Sequence, residues 1–287
     1  MFFLCTCGRL AAFLRKRNIR TVRLAKDDSV IKKYRRKKMK LNDEIKGYWE
    51  GEADIYSRAI WKELTGPQCE EWKKIILKYA PKKEPMEILD AGCGPGFFPV
   101  ILGREGHRVT GIDITENMIA RAKENVERYG QHAVLKTMDC QELQFPDNTF
   151  DMVISRNITW TLDDPQKAYL EWKRVLKPGG RMLVFDGCWY LHLYDEKLKR
   201  QYEENEKRIL KKYGRKIHTH ADPEKGDELS RQFFMSDKQR PVWDLEYLIE
   251  AGFSVVFAEP DISDKVWDEM EKDINGLTPV FLVGAEK

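Results

Sequence analysis

The sequence predicts an α/β fold in which helices cover both faces of a mostly parallel β-sheet. Short apolar segments alternate with segments of helical length from Met86 to Asp186, and this alternation is typical of parallel sheets. A glycine-rich turn directly follows the first apolar segment, an arrangement that exposes backbone amides at the start of a helix. The 287 residues can also bury the core of one large α/β domain with appended segments.

Seven apolar segments have the length and pattern of strands. They cover residues 86–89, 108–112, 133–138, 150–155, 181–186, 254–259 and 280–283. Helical patterns cover residues 97–104, 115–129 with Thr115 as the cap, 164–176, 194–213 and 242–250. The polar segment 218–240 shows little periodicity and is predicted to be a loop.

The segment that precedes the first strand has a helical pattern over residues 41–80, broken at Gly66-Pro67. A short linker follows at 81–85. The chain is therefore predicted to consist of a basic extension (1–40), a helical segment (41–85) and an α/β domain (86–287) with a helical insertion at about 187–240.

The amino-terminal extension carries most of the positive charge. Residues 1–40 contain 14 lysines and arginines against two aspartates, whereas the whole chain has a net charge of +3. The remainder is therefore acidic, which argues against a nucleic-acid-binding face on it. The extension is compatible with an organellar transit peptide, an RNA-binding arm, or an unpacked stretch upstream of a true start at Met39. We expect it to be disordered, because it offers few apolar residues for burial.

The six cysteines are scattered, and none forms a pair with zinc-ligand spacing. No metal is therefore expected. Unpaired thiols are typical of a reducing compartment, and no apolar run approaches the roughly 18 residues that span a bilayer. We expect a cytoplasmic protein that has no membrane partner.

The glycine-rich turn DAGCGPG at residues 90–96 is the strongest functional signal. Such turns let a ligand approach the backbone closely. A dinucleotide-binding turn would need its third glycine one residue later, where Phe97 stands. Pro95 removes an amide from the loop, and Asp90 would place negative charge near phosphates. A cofactor without phosphate and with a cationic methionyl amine suits these residues better.

Asp113 ends the second predicted strand in the run Gly-Ile-Asp. A carboxylate at this place can accept hydrogen bonds from the two vicinal hydroxyls of a ribose. An isolated aspartate at a strand end is more often a cap or turn residue. Its position after the glycine-rich turn favours ribose binding.

Four segments in this order resemble the successive motifs of class I S-adenosylmethionine methyltransferases: ILDAGCGPGFF, VTGIDIT, MDCQELQFPDNTFDMVIS and RVLKPGGRMLVFD. They are most similar to the small-molecule branch that includes the quinone C-methyltransferases. The weaker run at residues 48–56 resembles the amino-terminal lid of that branch. The resemblance implies a Rossmann-like sheet of seven strands in the order 3-2-1-4-5-7-6, with the last strand antiparallel. It also implies S-adenosylmethionine as cofactor and S-adenosylhomocysteine as product.

The resemblance further implies which residues bind the cofactor. It places the glycine-rich turn on the methionyl side, Asp113 on the ribose, and the segments at 114–118 and 139–140 against the adenine. The implied set is Tyr48, Asp90, Gly92, Cys93, Gly94, Gly96, Asp113, Ile114, Met118, Asp139, Cys140, Arg156 and Asn157. Met118 lies at helical spacing, so simple core packing is an alternative for it.

Residues after the fourth and fifth strands are candidates for the methyl acceptor, because ligands of this fold class bind beyond the carboxyl ends of the strands. Asp186 is a candidate for orienting the acceptor, and Trp160 for forming an aromatic wall over it. His192 is a candidate base, although a surface histidine is the alternative. Trp189 and Tyr190 could contact the acceptor or pack under the helix at 194–213.

The sequence therefore predicts a methyltransferase that acts on a small molecule by in-line transfer, as a monomer or homodimer. The run N-P-P-Y, typical of amine methylation on nucleic-acid bases, is absent from the sequence. Carbon, nitrogen, oxygen and sulfur acceptors all stay open. Two alternative functions remain: an RNA methyltransferase that uses the basic extension, and a non-catalytic module that binds the cofactor.

Overall fold

The computed structural model describes residues 28–214 and 223–287. The chain divides between Leu41 and Asn42 into two units, and apart from the first residues of helix α1 the features below belong to the second. The predictions for residues 1–27, including Cys5 and Cys7, lie outside the described residues. Residues 28–40, at the end of the extension for which disorder is expected, are helical. This stretch holds many lysines and arginines, which are good helix formers, and no glycine or proline.

Two helices precede the sheet. Helix α1 covers Asp28–Thr65 and helix α2 covers Gln68–Tyr79. The predicted break at Gly66-Pro67 is confirmed: proline cannot continue the hydrogen bonds of α1. Helix α2 buries Trp72 and Ile76, which lie one turn apart on one face.

The sheet has seven strands in the order β3-β2-β1-β4-β5-β7-β6. All neighbouring pairs are parallel except those of β7, which is antiparallel to both β5 and β6. The predicted order and the antiparallel last strand are thus confirmed. The strands are β1 Glu87–Ala91, β2 Arg108–Asp113, β3 Ala133–Thr137, β4 Phe150–Arg156, β5 Leu176–Asp186, β6 Val255–Glu259 and β7 Phe281–Glu286.

The other helices lie between or after the strands. They are α3 Phe97–Arg104, α4 Glu116–Arg128, α5 Pro165–Val175, α6 Glu196–Tyr213, α7 Pro223–Ser230, α8 Val242–Glu250, α9 Ser263–Val266 and α10 Glu269–Asn275, with short 3₁₀ turns at Thr159–Thr161 and Leu191–Leu193. None of the helices in the described ranges is long and apolar enough to cross a membrane.

Helix α7 lies within the segment that was predicted to be a loop, so that prediction is wrong. The pattern of this helix is weak, and tertiary packing decides its structure. Leu229, Phe233 and Met235, in and just after α7, are buried. Helix α10 was also missed, although its start carries a capping box in which Asp268 and Glu271 each accept a hydrogen bond from the other's backbone amide.

The central strands are buried on both faces, as expected for a parallel sheet. On one face, Trp72 of α2 packs against Phe97 and Phe98 of α3 and Phe185 of β5. On the other face, helices α5 and α8 complete a second core. Because β1, β2 and β4 are parallel neighbours, their carboxyl ends meet at one edge of the sheet. The glycine-rich turn and the acidic strand ends therefore lie together.

Candidate functional site

The glycine-rich turn is held against the neighbouring strand by its own backbone. The amides of Gly92 and Cys93 both donate to the carbonyl oxygen of Ile112, each at 2.8 Å. Gly92 has a φ of +79°, and a Cβ atom there would lie 2.2 Å from Ile158. Gly94 has a φ of +48°, and nothing lies within 4 Å of the position of its missing Cβ. The turn therefore packs tightly at Gly92 and leaves open space beside Gly94.

Asp113 joins this turn to the start of helix α4. Its Oδ2 accepts a hydrogen bond from the amide of Gly94 at 3.0 Å. Its Oδ1 accepts from the amide of Thr115 at 3.0 Å and from the Thr115 hydroxyl at 2.8 Å. Burial raises the pKa of Asp113, and these hydrogen bonds partly oppose that rise. The carboxylate is thus fixed in place at the edge of a cavity.

Asp90, at the end of β1, lines the same cavity without the hydrogen bonds that Asp113 accepts. Its side chain is buried, and no residue in the described parts of the chain donates a hydrogen bond to its carboxylate. Burial raises the pKa of Asp90 well above its usual value, and the nearby charge of Arg156 partly opposes that rise. An isolated buried carboxylate is unfavourable unless a cation joins it.

The cavity lies at the carboxyl ends of β1, β2 and β4, under helix α1. Its lining contains four aspartates, at positions 90, 113, 139 and 163, and a single arginine, Arg156. Of the residues predicted for the cofactor, it brings together Asp90, Gly92, Cys93, Gly94, Asp113, Ile114, Met118, Asp139, Cys140, Arg156 and Asn157. Met118 is both buried and part of the lining.

The loop at the adenine end of the predicted site is also fixed in place. Asp139 Oδ1 accepts from the amide of Gln141 at 2.8 Å. The carbonyl oxygen of Cys140 accepts from the indole of Trp172 at 3.0 Å. Trp172 is fully buried in α5, so the core of the domain anchors this loop.

Two of the residues predicted for the cofactor are not in the lining. Gly96 packs on helix α4, where its missing Cβ would lie 3.2 Å from the Cα of Ala122. Tyr48 lies in a separate small pocket beside Gly226 and Tyr190. Its neighbour Trp49 lines the cavity instead, because successive helical residues point about 100° apart.

Sequence reasoning missed several lining residues. Tyr56 and Ile60 enter from α1, Phe97 and Phe98 from α3, and Ile158 from the loop after β4. Tyr56 lies in the run that resembles a lid, so that resemblance held a signal for it. The others are apolar residues with the spacing of core positions, and the sequence gives no sign that they border a ligand.

Asp186 does not reach this cavity, so its position gives no support to the prediction that it orients an acceptor. Its side chain is fully buried. The carboxylate pairs with Arg240 at 3.1 Å and accepts hydrogen bonds from the Trp160 amide, the Trp189 indole and the Thr159 hydroxyl. Arg240 lies 54 residues away in the sequence, so the strand end alone could not reveal this pairing.

His192 is also not placed to act as a base on a ligand in the cavity. It is buried, and its ring stacks on Tyr202 with a centroid distance of 4.0 Å. It belongs to neither of the two cavities near the strand ends. The interpretation of His192 as a surface residue is therefore wrong, because α6 covers the ring, and neither cavity supports its role as a base.

A second cavity, of about 420 Å³, lies beside the first. Tyr56 and Asn157 line both cavities, so the two meet at these residues. Trp160 lines the second cavity, as do Trp189 and Tyr190. The prediction for Trp160 as an aromatic wall therefore applies to this second space. Its ring stacks on Tyr190 with a centroid distance of 5.2 Å.

Arg156 connects helix α1 to the sheet between the cavities. Its Nη1 lies 2.5 Å from Glu63 Oε2, and its guanidinium lies 4.3 Å from the centroid of the Phe97 ring. Both partners of the ion pair are largely shielded from water. This contact ties α1 over the carboxyl ends of the strands.

Comparison with known proteins agrees with this geometry. Residues 89–184 match the family described as "Methyltransferase domain". The chain is 39% identical over 101 residues to a phosphatidylethanolamine N-methyltransferase of Cereibacter sphaeroides, covering 34% of this chain and 48% of that protein. It is 35% identical over 121 residues to a demethylmenaquinone methyltransferase of Listeria welshimeri, covering 40% and 51%.

The matches cover only part of each chain: this protein spans about half the length of the curated relatives it matches. Among solved structures, a SAM-dependent methyltransferase from Aquifex aeolicus shares the fold, with a TM-score of 0.51 and 22% identity. That similarity covers 80% of this chain and 97% of the other.

Proposed function

We propose that the chain is an enzyme that uses S-adenosylmethionine to methylate a small molecule, because residues 89–184 match the family described as "Methyltransferase domain". The single observation that carries this proposal is the charge of the first cavity. Four aspartates and one arginine line it beside an open glycine turn. A pyrophosphate would meet excess negative charge there, whereas S-adenosylmethionine has no phosphate and carries a sulfonium and an ammonium.

Two further observations support S-adenosylmethionine as the ligand of this cavity. The buried carboxylate of Asp90 has no hydrogen-bond donor among the described residues, and a cation would relieve it. The open space beside Gly94 lets a ligand approach the backbone. We assign Asp90 and the turn to the methionyl side, Asp113 to the ribose hydroxyls, and Asp139 with Cys140 to the adenine.

When bound, the cofactor supplies an electrophilic methyl group with a neutral thioether as leaving group. The residues of the chain contribute chiefly by alignment, which is worth up to about 7–11 kcal/mol when the geometry is good. Trp49 and Tyr56 of α1 cover the cavity and exclude water. The acceptor would lie in the second cavity, next to the first at Tyr56 and Asn157.

A small-molecule acceptor is supported by the relatives, whose names specify phosphatidylethanolamine and demethylmenaquinone. The second cavity, of about 420 Å³, is in the usual range for a pocket that holds a small ligand. We also propose that the protein works in the cytoplasm. Cys69, Cys93, Cys140 and Cys188 are free thiols, as is usual in a reducing compartment.

Calorimetry with the full chain tests the proposal. We expect S-adenosylmethionine and S-adenosylhomocysteine to bind and to raise the melting temperature, and NAD to do neither. Transfer of a labelled methyl group to extracted metabolites would then separate an enzyme from a module that only binds. Preferential binding of NAD, or no binding of either nucleoside, would contradict the proposed function.

A further inference from the structure

Asn157 has an unusual backbone conformation for its residue type. It follows β4 directly and has a φ of +56°, in the left-handed region that favours glycine. Its amide donates to the carbonyl oxygen of Phe185 at 2.9 Å, and its carbonyl oxygen accepts from the Trp160 indole at 3.1 Å. The backbone is therefore held on both sides, and the side chain is fixed where the two cavities meet.

The side-chain carbonyl of Asn157 lacks a partner. Its Oδ1 is buried, and no donor in the described ranges reaches it. Asn148 is the other non-glycine residue in the described chain with a positive φ, at +57°, and its Oδ1 accepts a hydrogen bond from Lys287 at 2.8 Å. A buried acceptor without a donor is unfavourable. At a junction of cavities, it indicates a ligand that brings a donor.

The second cavity has a composition that favours cations. Its lining includes three carboxylates and one ammonium: Lys62 pairs with Asp268 at 2.6 Å, and Glu63 pairs with Arg156 at 2.5 Å, which leaves Glu271 as the carboxylate of this lining without an ion pair among the described residues. Five aromatic side chains also line it: Tyr56, Trp160, Trp189, Tyr190 and Tyr202. Aromatic rings attract cations through their electron-rich faces. The remaining lining is mixed: Ile55 and Ala59 of α1 and Met270 and Ile274 of α10 are apolar, and Gln68, Asn275 and Thr278 are polar.

These features separate the classes of acceptor. A phosphate or carboxylate on the acceptor would lie near the carboxyl group of Glu271 and would find no unpaired cation among the described lining residues. A phenolate or enolate nucleophile would be disfavoured for the same reason. An amine reacts as a neutral nucleophile, gives a cationic product, and brings the N–H donor that Asn157 Oδ1 lacks.

We propose that the second cavity binds an amine with an apolar or aromatic body, and that Asn157 Oδ1 accepts a hydrogen bond from the nitrogen that is methylated. This inference rests on the proposed function and names its substrate class. The amine binds as its ammonium and reacts as its free base after it releases a proton to water. Its lone pair forms the new N–CH₃ bond as the S–CH₃ bond breaks, and the electrons of that bond stay on sulfur. The resulting N-methylammonium later releases a proton to water.

The substrate class is tested with the full chain and methyl-labelled S-adenosylmethionine. Phenethylamine, 2-phenylethanol and 3-phenylpropanoate are compared as single acceptors, and a metabolite extract is labelled in parallel. Products are separated by cation exchange at acidic pH. We expect the label in cationic products, with phenethylamine favoured over the alcohol and the acid by at least about tenfold.

The outcomes distinguish a failure of the amine proposal from a failure of the proposed methyltransferase function. Label found only in neutral or anionic products, or no labelled product from a chain that binds the cofactor, would overturn the amine proposal. Cofactor binding without any labelled product would also indicate that the chain is a module that only binds the cofactor. Failure to bind the cofactor would instead remove the proposed function itself.

The role of Asn157 is tested by Asn157→Gly, because glycine keeps the positive φ while removing the amide. We expect kcat/KM for the amine to fall at least about tenfold, and by more than any change in the Kd for the cofactor, because Asn157 lines both cavities. Asn157→Asp keeps an acceptor oxygen and should recover part of the rate. Asn148→Gly is the matched control at the same φ and should keep full activity. An unchanged rate in Asn157→Gly, or an equal loss in both glycine variants, would contradict this role.

Discussion

Two aspartates end strands of the same sheet, and their surroundings give them opposite tasks. Asp113 at the end of β2 lines the first cavity and is bound by the turn and by Thr115. Asp186 at the end of β5 is fully buried and paired with Arg240. One carboxylate borders a cavity, and the other fixes the loops nearby. A strand-end aspartate thus stays at a cavity or is taken into the core according to whether a distant cation reaches it.

The pairing of Asp186 still matters for the site. It accepts hydrogen bonds from the amide of Trp160 and the indole of Trp189, and Trp160 in turn holds the backbone of Asn157. Arg240 also pairs with Asp244, which accepts a hydrogen bond from the Tyr169 hydroxyl at 2.5 Å. A buried network therefore connects α8 and α5 to the walls of the second cavity.

The largest effect is expected for Asp113→Ala. The variant loses two charge-assisted hydrogen bonds to the ribose, worth about 1.5–3 kcal/mol each, so the Kd for S-adenosylmethionine should rise by about 100-fold or more. Calorimetric titration measures it. Asp151→Ala is the matched control: Asp151 is a buried carboxylate of β4 that pairs with Lys83 and Lys177 and lies outside the lining. Equal affinity in the wild type and Asp113→Ala would remove the ribose assignment.

Asp186→Ala should act on stability rather than on cofactor affinity. Removing one partner of a buried ion pair leaves the other uncompensated and costs about 3–5 kcal/mol of unfolding free energy. Urea denaturation measures this, and the folded variant should bind the cofactor within about twofold of the wild type. Asp147→Ala is the control, because Asp147 pairs with Arg174 at an exposed position and such pairs contribute about 0–1 kcal/mol. An Asp186→Ala variant that is as stable as the wild type but has lost cofactor affinity would contradict the structural role of Asp186.

Asp90→Asn should give a smaller effect of opposite sign. Burial raises the pKa of Asp90, so ionisation destabilises the cofactor-free fold as the pH rises above about 3.9, the usual value for this group. The amide removes that cost, and the variant should melt at a higher temperature, with a gap that widens from about pH 4 upward. It should also bind the cofactor more weakly. Melting curves from pH 4 to 8, with and without S-adenosylmethionine, measure the change in stability and the change in binding. A wild type that becomes more stable than the variant as the pH rises would contradict the burial argument.

The sequence predicted the fold, and most of the residues it predicted for the cofactor line the first cavity, because their signals are local. The strand–helix alternation and the turn at 90–96 depend on neighbouring residues, and parallel strands bring their carboxyl ends to one edge whatever the rest of the chain does. Local reasoning failed at Tyr48 and Trp49. Both lie in one helical run, and only the packing of α1 decides which of the two faces the cavity.

The sequence by itself therefore determined the sheet, the glycine turn and the acidic strand ends that favour a phosphate-free cofactor. Tertiary structure decided that Arg240 takes Asp186 out of the site, that α6 covers His192, and that α1 and α10 enclose a second cavity beside Asn157. The physical reason is sequence distance: a backbone turn is specified by adjacent residues, whereas a buried ion pair or a shared cavity depends on side chains that only folding brings together.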